Sequence, residues 1–152
     1  IMAGELVKKI MGIVGPKLKG EAVEEGERLS KVVIGTVEGD IHDIGKNIVV
    51  SLLDANGFDV YDLGVDVPPN QFVEKVKEAR PEILGLSGLL TLAYNSMKKT
   101  VELIGKEGLR DQVKIIIGGA HIDERVCEYV GADAYADNAS KGVNICREWV
   151  KG

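Results

Sequence analysis

The sequence is short of aromatic residues, cysteines and positive charge. Aromatic residues make up 5% of the 152 positions, so few side chains are available to stack on nucleic-acid bases. The two cysteines, Cys127 and Cys146, form no C-x-x-C pair, which favours a reduced, cytoplasmic setting. Lys and Arg total 19 against 24 Asp and Glu, a net charge of -5. Non-specific binding to nucleic acid is therefore disfavoured.

A long hydrophobic run and a secretory leader are also missing. The longest fully apolar stretch is a handful of residues, which is too short to cross a bilayer. Residues 1–9 lack the apolar centre of a signal peptide. We therefore expect no membrane partner. Glycine, by contrast, is plentiful at 19 residues, which predicts many tight turns and close backbone approaches.

From residue 31 onward, apolar β-branched runs alternate with helical patterns. Strands are predicted over 31–37, 58–63, 82–87, 113–118 and 134–136, and helices over 44–56, 69–79, 94–107, 123–130 and 140–150. Continuous apolar strands between helices indicate a parallel sheet covered on both faces. We predict an α/β, flavodoxin-like (Rossmann-like) sheet of five parallel strands in the order 2-1-3-4-5. In its first helix, Ile48, Val49, Leu52 and Leu53 are expected on one side.

The first thirty residues have a different pattern. Leu6, Ile10, Val14 and Leu18 recur at helical spacing, and the Gly15-Pro16 pair must end or kink that helix. A single amphipathic helix cannot bury its apolar face alone. We therefore predict an N-terminal helix and linker over 1–30, followed by the main domain over 31–152.

The loop after the first strand carries the most unusual polar residues. Ligands of open α/β sheets bind beyond the carboxyl ends of the strands, near the point where strand order reverses. Asp40 and His42 lie two positions apart there, so a carboxylate can take one imidazole proton and make the other nitrogen a better metal donor. Gly45, at the next helix start, would let a ligand approach. Because a lone loop histidine is more often solvated, this interpretation depends on its neighbours.

The third and fourth strands also end in unusual residues. Leu89 and Leu90 are apolar where a turn is normally polar, and the hydroxyls of Ser87 and Thr91 flank them. They indicate either a plug under a helix or a surface for a flat apolar ligand. The pair Gly118-Gly119 lacks side chains, which indicates either a tight turn or a narrow path along the backbone for a ligand chain.

Sharing of one small metal ion by the two histidines is disfavoured. His121 follows strand four, and two strand spacings are about 10 Å, whereas ligands of one ion lie within about 4 Å of each other. A single histidine that receives a large ligand with its own remaining metal ligands fits better. Residues 38–66 carry seven acids and one lysine, which does not suit a phosphate cradle.

Taken together, these residues resemble the cobalamin-binding (B12-binding) domain of corrinoid methyltransferase proteins. The family motif D-x-H-x-x-G stands as residues 40–45, S-x-L as residues 87–89 and G-G as residues 118–119. Three motifs agree in order and spacing over residues 31–140. The longer form, D-I-H-D-I-G-K-N, resembles the methyl-transfer branch, which includes methionine synthase and the small corrinoid proteins.

The resemblance implies a site for cobalamin with its lower base displaced. His42 would bind the cobalt from below and Asp40 would hydrogen-bond the far side of its imidazole, so these two are the expected catalytic residues. The displaced nucleotide tail would run between the sheet and a helix. The cofactor-binding set implied by the motifs is Asp40, His42, Asp43, Ile44, Gly45, Ser87, Leu89, Thr91, Gly118, Gly119 and, near the nucleotide end, Ala139.

Two features depart from the family pattern. In methionine synthase the His–Asp pair extends to a serine six residues after the S-x-L serine, and that position is Ala93 here. The resemblance therefore does not carry over a third relay residue. Family members also usually place a helical bundle before this domain, as a cap over the corrin. Residues 1–30 could supply only its last helix and a linker.

The function implied is that of a carrier component in a multi-component methyltransferase system. Methylcobalamin would be its loaded state. Its partners would be a substrate-specific methyltransferase, an acceptor methyltransferase that uses a folate or a thiol, and a reductive activase. The methyl donor stays open, since methanol, methylamines and methoxylated aromatics all fit.

Other interpretations remain open at this point. An adenosylcobalamin-dependent mutase domain shares the motifs, and a flavodoxin-like FMN carrier shares the fold but would want hydroxyls and amides where Glu38 and Asp40 stand. A phospho-receiver domain needs an aspartate at the end of strand three, where Ser87 stands. A pure interaction module with no ligand is the simplest alternative.

Overall fold

The computed structural model describes residues 30–151, in which strands and helices alternate as predicted. The elements are β1 (Lys31–Thr36), α1 (Ile44–Ala55), β2 (Asp59–Asp62), α2 (Pro69–Ala79), β3 (Ile83–Ser87), α3 (Thr91–Lys106), β4 (Lys114–Gly118), α4 (Glu124–Val130), β5 (Ala134–Ala136) and α5 (Ala139–Lys151). The sheet order is β2-β1-β3-β4-β5, so the predicted fold and strand order are confirmed. The N-terminal helix predicted over 1–30 lies, apart from Ser30, outside the described residues.

The strands are in a register that brings their carboxyl ends together. Thr36 of β1 lies opposite Ser87 of β3, Ser87 lies opposite Gly118 of β4, and Gly118 lies opposite Ala136 of β5. Because all these pairings are parallel, the loops that follow the strands emerge at one edge of the sheet.

The core lies on both sides of this sheet. Helices α2, α3 and α4 are neighbours, and the buried apolar side chains of α2 are the four that its spacing predicts, Phe72, Val73, Val76 and Ala79. They join alternate strand residues such as Val33, Leu84 and Ile115 in one buried cluster. On the opposite face, a Cβ added at Gly142 of α5 would lie at an ordinary contact distance, 3.5 Å, from the Cβ of Ala136, so α5 packs directly on β5.

Residues 51–59 group apart from the unit formed by residues 31–50 and 60–151. They contain the end of α1 and the turn into β2. Within them, the side-chain amide of Asn56 donates to the carbonyl of Leu52 at 2.7 Å, and Gly57 adopts a φ of 90°. A glycine in this left-handed conformation ends the helix, as the sequence predicts.

One local prediction is wrong. Helix α3 begins at Thr91 rather than at 94, because the amides before it are held by Asp40, a residue far away in the chain. In α1 the apolar residues are not uniformly buried, since Ile48 and Leu52 are exposed whereas Lys46 is only 4% exposed. The buried ion pair of Lys46 with Asp62 turns a charged side of the helix inward, which an apolar periodicity cannot reveal.

Candidate functional site

Asp40 lies at the centre of the edge where the strand loops meet, and its side chain is 0% exposed. Its Oδ2 accepts the backbone N–H of Leu89 at 2.7 Å and of Leu90 at 3.0 Å. Its Oδ1 accepts the backbone N–H of His42 at 2.9 Å. Burial by itself raises the pKa of this carboxyl, but the amides of Leu90, His42 and Leu89 and the His42 ring outweigh it and hold the pKa at about 2. Asp40 is therefore a carboxylate at neutral pH.

His42 is fixed on one side and open on the other. Its Nδ1 lies 2.6 Å from Oδ1 of Asp40, which fixes the proton on Nδ1 because an ionised carboxylate can only accept. The hydroxyl of Thr36, which is buried, donates to the carbonyl of His42 at 3.0 Å. The side chain remains 49% exposed, and no described residue from 30 to 151 hydrogen-bonds Nε2. The ring thus turns its Nε2, in a fixed orientation, toward an incoming electrophile or metal.

The loops after β3 and β4 are held together by their backbones. The N–H of Gly88 donates to the carbonyl of Gly118 at 3.1 Å. A Cβ added at Gly119 would lie 2.1 Å from the carbonyl oxygen of Gly88, so only glycine permits this approach. At Gly118, however, the nearest atom to an added Cβ is a carbonyl oxygen 3.7 Å away. The two glycines therefore have different roles. Gly119 allows the β3 and β4 loops to contact each other, and Gly118 leaves space beside the strand.

The other residues predicted from the motifs occupy the same edge. Ser87 ends β3 and is half-buried, and its hydroxyl has no partner among the described residues. Thr91 is exposed at the first position of α3. Asp43 precedes α1, and its carbonyl accepts the N–H of Asn47 at 2.8 Å. A Cβ added at Gly45 would meet nothing within 4 Å. Ala139 begins α5 after β5, two strands away from β3.

Exposed apolar side chains lie on both sides of His42 in its own loop and on the neighbouring β3 loop, whose amides bond Asp40. Ile41 is 72% exposed and Ile44 78%, although isoleucine is usually buried. Leu90 and Leu92, from the β3 loop and the start of α3, are also exposed. These four side chains and the imidazole provide a surface suited to a flat ligand with apolar edges.

Sequence reasoning missed three supporting residues. A Cβ added at Gly88 would lie 2.6 Å from the Cβ of Ala93, which is too close, and 3.6 Å from Oδ2 of Asp40, an ordinary contact, so this glycine makes room for the first turn of α3 beside the carboxylate. It is the middle residue of S-x-L, and its glycine identity was the available signal. Thr36 and Lys46 gave none, since a buried hydroxyl or ammonium is recognised only from its partners.

Ala93 stands at the position where the family pattern has a third relay side chain, which the sequence does not carry over. It is fully buried and carries no polar group. The second oxygen of Asp40 is instead occupied by the amides of Leu89 and Leu90. The chain of hydrogen bonds from the His42 ring therefore passes through Asp40 and ends on the backbone amides of Leu89 and Leu90.

Within residues 30–151, neither a ready-made metal cluster nor a membrane-spanning helix is present. No group of three or more His, Cys, Asp or Glu side chains lies together in a way that could hold a metal ion. No helix in that range combines the length and apolar character required to cross a bilayer.

Comparison with known proteins places this site in a family. The model of the B12-binding domain matches residues 30–144. A dimethylamine corrinoid protein of Methanosarcina mazei is 46% identical over 131 residues, covering 84% of this chain and 78% of its own length. One from Methanosarcina barkeri is 46% identical over 123 residues, covering 81% of this chain and 58% of that protein.

Solved structures of cobalamin-related proteins are also similar to this chain. A cobalamin-binding protein from Desulfitobacterium hafniense DCB-2 is 56% identical with a TM-score of 0.79, over 80% of this chain and 59% of that one. The methanol:cobalamin methyltransferase complex MtaBC from Methanosarcina barkeri contains a chain that is 29% identical with a TM-score of 0.80, over 94% of this chain and 54% of that one. The receiver domain of NarL from Mycobacterium tuberculosis, 17% identical over 82% of this chain and 98% of its own with a TM-score of 0.59, shares the fold alone.

Proposed function

The chain belongs to the family of B12-binding domains, whose cofactor is cobalamin, and from that premise we propose that it carries a methyl group between a substrate-specific methyltransferase and an acceptor methyltransferase. The single observation that supports this best is the Asp40–His42 pair. A buried carboxylate holds Nδ1 at 2.6 Å and leaves Nε2 open at a surface of exposed isoleucines. This chain spans just over half the length of several relatives, so the activity of the whole system is part of the proposal.

The residues present fit cobalamin. The corrin ring is flat and has apolar edges, which suits the exposed side chains of Ile41, Ile44 and Leu92 around His42. A displaced nucleotide tail needs room beside the sheet, and the open position at Gly118 provides it. The unpartnered hydroxyl of Ser87 supplies a polar contact at the start of that path, and Leu89, Thr91, Gly119 and Ala139 would line the remainder.

We assign the residues of the pair different tasks. When bound, cobalamin supplies a cobalt centre that can accept and give up a methyl group. His42 would hold that cobalt through Nε2, and Asp40 would keep the proton on Nδ1 and the ring in place. Because the pKa of Asp40 is held at about 2 by its amides and the imidazole, Asp40 would act as a fixed negative charge.

The partners we propose follow from the same role. A substrate methyltransferase would load the carrier, an acceptor methyltransferase using a folate or a thiol would unload it, and a reductive activase would restore it. The names of the Methanosarcina relatives point to methylamines as donors, and the MtaBC chain points to methanol. We also propose a cytoplasmic location, where the free thiols of Cys127 and Cys146 stay reduced, and keep the division into a segment over 1–30 and a cobalamin-binding domain over 31–152.

Reconstitution tests this proposal in two steps. The purified chain is incubated with hydroxocobalamin, freed of excess by gel filtration, and examined for retained cofactor by its visible spectrum. The loaded protein is then treated with a strong chemical reductant, because the cobalt of hydroxocobalamin is Co(III) and accepts a methyl group only after reduction to Co(I). It is next offered dimethylamine, monomethylamine or methanol, each with the corresponding Methanosarcina methyltransferase, followed by a thiol acceptor and its methyltransferase. We expect retention of cofactor and methyl transfer from one donor. No retention contradicts cofactor binding, and retention without transfer from any donor contradicts the carrier role for these donors.

A further inference from the structure

The segment between β2 and α2 contacts both ends of the loop that carries His42. We call residues 62–66 the clamp segment. Its backbone runs beside the end of β1, where the N–H of Thr36 donates to the carbonyl of Gly64 at 2.9 Å. Just beyond the segment, the N–H of Val67 donates to the carbonyl of Thr36 at 3.0 Å. The segment is thus fixed to the sheet before it reaches the loop.

Asp66 holds the start of the loop. Its Oδ1 accepts the N–H of Gly39 at 2.8 Å, and its own N–H donates to the carbonyl of Asp40 at 3.0 Å. One residue therefore holds two successive positions next to His42. Neither contact uses the Asp40 carboxylate, which remains available to His42, Leu89 and Leu90.

Asp62 holds the end of the loop. Both of its carboxylate oxygens lie 2.8 Å from Nζ of Lys46, and its Oδ1 also accepts the N–H of Gly64 at 2.9 Å. Lys46 is 4% exposed and donates as well to the side chain of Asn47 at 2.8 Å. The first turn of α1, which follows His42 directly, is thereby fastened to the clamp segment.

The backbone of Asp66 shows that its side chain matters. Asp66 has a φ of 54°, a left-handed conformation that glycine adopts at lower cost than aspartate. Arg80 also has a left-handed φ, of 52°, but it caps α2, where its N–H donates to the carbonyl of Val76. A helix cap of this kind needs only backbone, whereas the Asp66 side chain carries a bond to the loop.

We propose that Asp66 and Asp62 are positioning residues that hold residues 39–46 in the conformation that presents His42 before any cofactor arrives. The part of this inference that concerns cobalt rests on the proposed function. The part that concerns the order of the loop does not, because it is a property of the cofactor-free protein.

The first test measures the loop itself in the full 152-residue chain without cofactor. Asp66→Gly keeps the left-handed backbone and removes the side-chain acceptor. Amide hydrogen exchange at His42 is measured by NMR, because that amide bonds Asp40 and not Asp66. We expect it to exchange at least about tenfold faster in Asp66→Gly. Asp66→Asn retains an acceptor oxygen and tolerates this φ, so it should exchange within about twofold of the wild type.

Matched variants at the other end of the molecule separate a positioning role from general stability. Arg80→Gly changes the other left-handed position, and Asp133→Ala removes a carboxylate that also bonds an amide and a basic side chain. Neither should speed exchange at His42 more than about twofold beyond any change in global stability. Asp62→Ala should speed it by at least about tenfold. Equal exchange at His42 in Asp66→Gly and Arg80→Gly would overturn the proposal.

The second test adds hydroxocobalamin. If the presenting conformation falls to about one tenth of the population, the apparent Kd rises about tenfold, and the visible spectrum of bound cofactor should shift toward that of a His42→Ala variant. A wild-type chain that binds no hydroxocobalamin would refute the proposed function, while the exchange experiment would still decide the clamp. Wild-type binding with an unchanged Kd in Asp66→Gly would overturn the clamp alone.

Discussion

Two carboxylates, one at each end of the sheet, accept backbone amides, and they differ in the partner that completes each cluster. At the amino end, Oδ2 of Asp133 accepts the N–H of Ile115 at 2.8 Å and pairs with Arg110 at 3.1 Å. At the carboxyl end, Asp40 accepts three amides and the ring of His42. Asp133 faces a guanidinium that is always charged, whereas Asp40 faces an imidazole ring whose second nitrogen is exposed.

This difference separates a structural cluster from one that can bind a metal. The Arg110 guanidinium satisfies Asp133 and presents no acceptor to anything beyond it. The imidazole satisfies Asp40 and still has a lone pair on Nε2. The same bond between a carboxylate and amides therefore joins two strands at one end and orients a metal ligand at the other. Variants at the two ends should then differ in cofactor binding more than in stability.

Removal of the imidazole should produce the largest effect. His42→Ala deletes the proposed cobalt ligand, so the affinity for hydroxocobalamin should fall by at least about 100-fold, since loss of a supporting residue alone typically costs 10–100-fold. The spectrum of any bound cofactor should lose the signature of a nitrogen ligand from the protein. His121→Ala, at the other exposed histidine, is the control and should bind within about twofold of the wild type. An unchanged spectrum in His42→Ala would contradict the assignment.

Substitution of the two carboxylates tests the comparison directly. Asp40→Asn places an NH₂ group against amides that need an acceptor, so the free energy of unfolding should fall by about 2–4 kcal/mol and cofactor affinity by about 10–100-fold. In Asp133→Asn the amide oxygen can still accept the Ile115 N–H, so stability should fall by about 1 kcal/mol or less with no change in affinity. Urea unfolding and hydroxocobalamin titration measure the two quantities. If both variants lost the same affinity for hydroxocobalamin, the two ends of the sheet would not differ in cofactor binding.

Acid should lower the free energy of unfolding by protonating Asp40, at the carboxyl end of the sheet. The pKa of Asp40 is lowered from 3.8 to about 2 in the folded protein, so its contribution is complete above pH 4 and is lost as the pH falls through 2. The shift corresponds to roughly 2 kcal/mol of folding free energy. Urea unfolding between pH 4 and pH 2 should show this loss in the wild type, and the slope should be shallower in Asp40→Asn. Parallel pH dependences for the two proteins would argue against the low pKa.

The smallest effects are expected from two glycine substitutions, which distinguish a change in stability from a change in cofactor binding. Gly45 and Gly105 both lie in helices, and an added Cβ at either meets nothing within 4 Å. Alanine at either position should stabilise the folded protein by up to about 1 kcal/mol. Only Gly45→Ala, at the carboxyl end, should weaken hydroxocobalamin binding. Thermal unfolding and titration of both variants measure this, and equal affinities would show that the cofactor does not approach Gly45.

The regular parts of the molecule were predictable from the sequence because they depend on periodicity. The strand order followed from apolar strands between helices, and the inward face of α2 followed from its spacing. The Asp40–His42 contact also followed, since two residues in one turn can reach each other whatever surrounds them. The meeting of this turn with Leu89 followed from the rule that strand ends share one edge of the sheet.

The remaining features depend on contacts between residues that are distant in the chain. The buried Lys46 and the left-handed Asp66 are determined by the β2–α2 segment, which no motif marked. The two roles of Gly118 and Gly119 differ because only at Gly119 is another backbone close enough to exclude a Cβ. An isolated sequence gives the residue types at these positions but not the neighbours that give each one its purpose.

The bonds from Asp40 to the amides of Leu89 and Leu90 have a consequence for the order of folding. They support the first turn of α3, yet they join residues about fifty positions apart, so this turn can form only after β1 and β3 have paired. A peptide that contains β3 and α3 without β1 should therefore begin its helix near Tyr94, where the local pattern starts. In the whole chain, the early start of α3 at Thr91 reports that the two halves of the sheet have already come together.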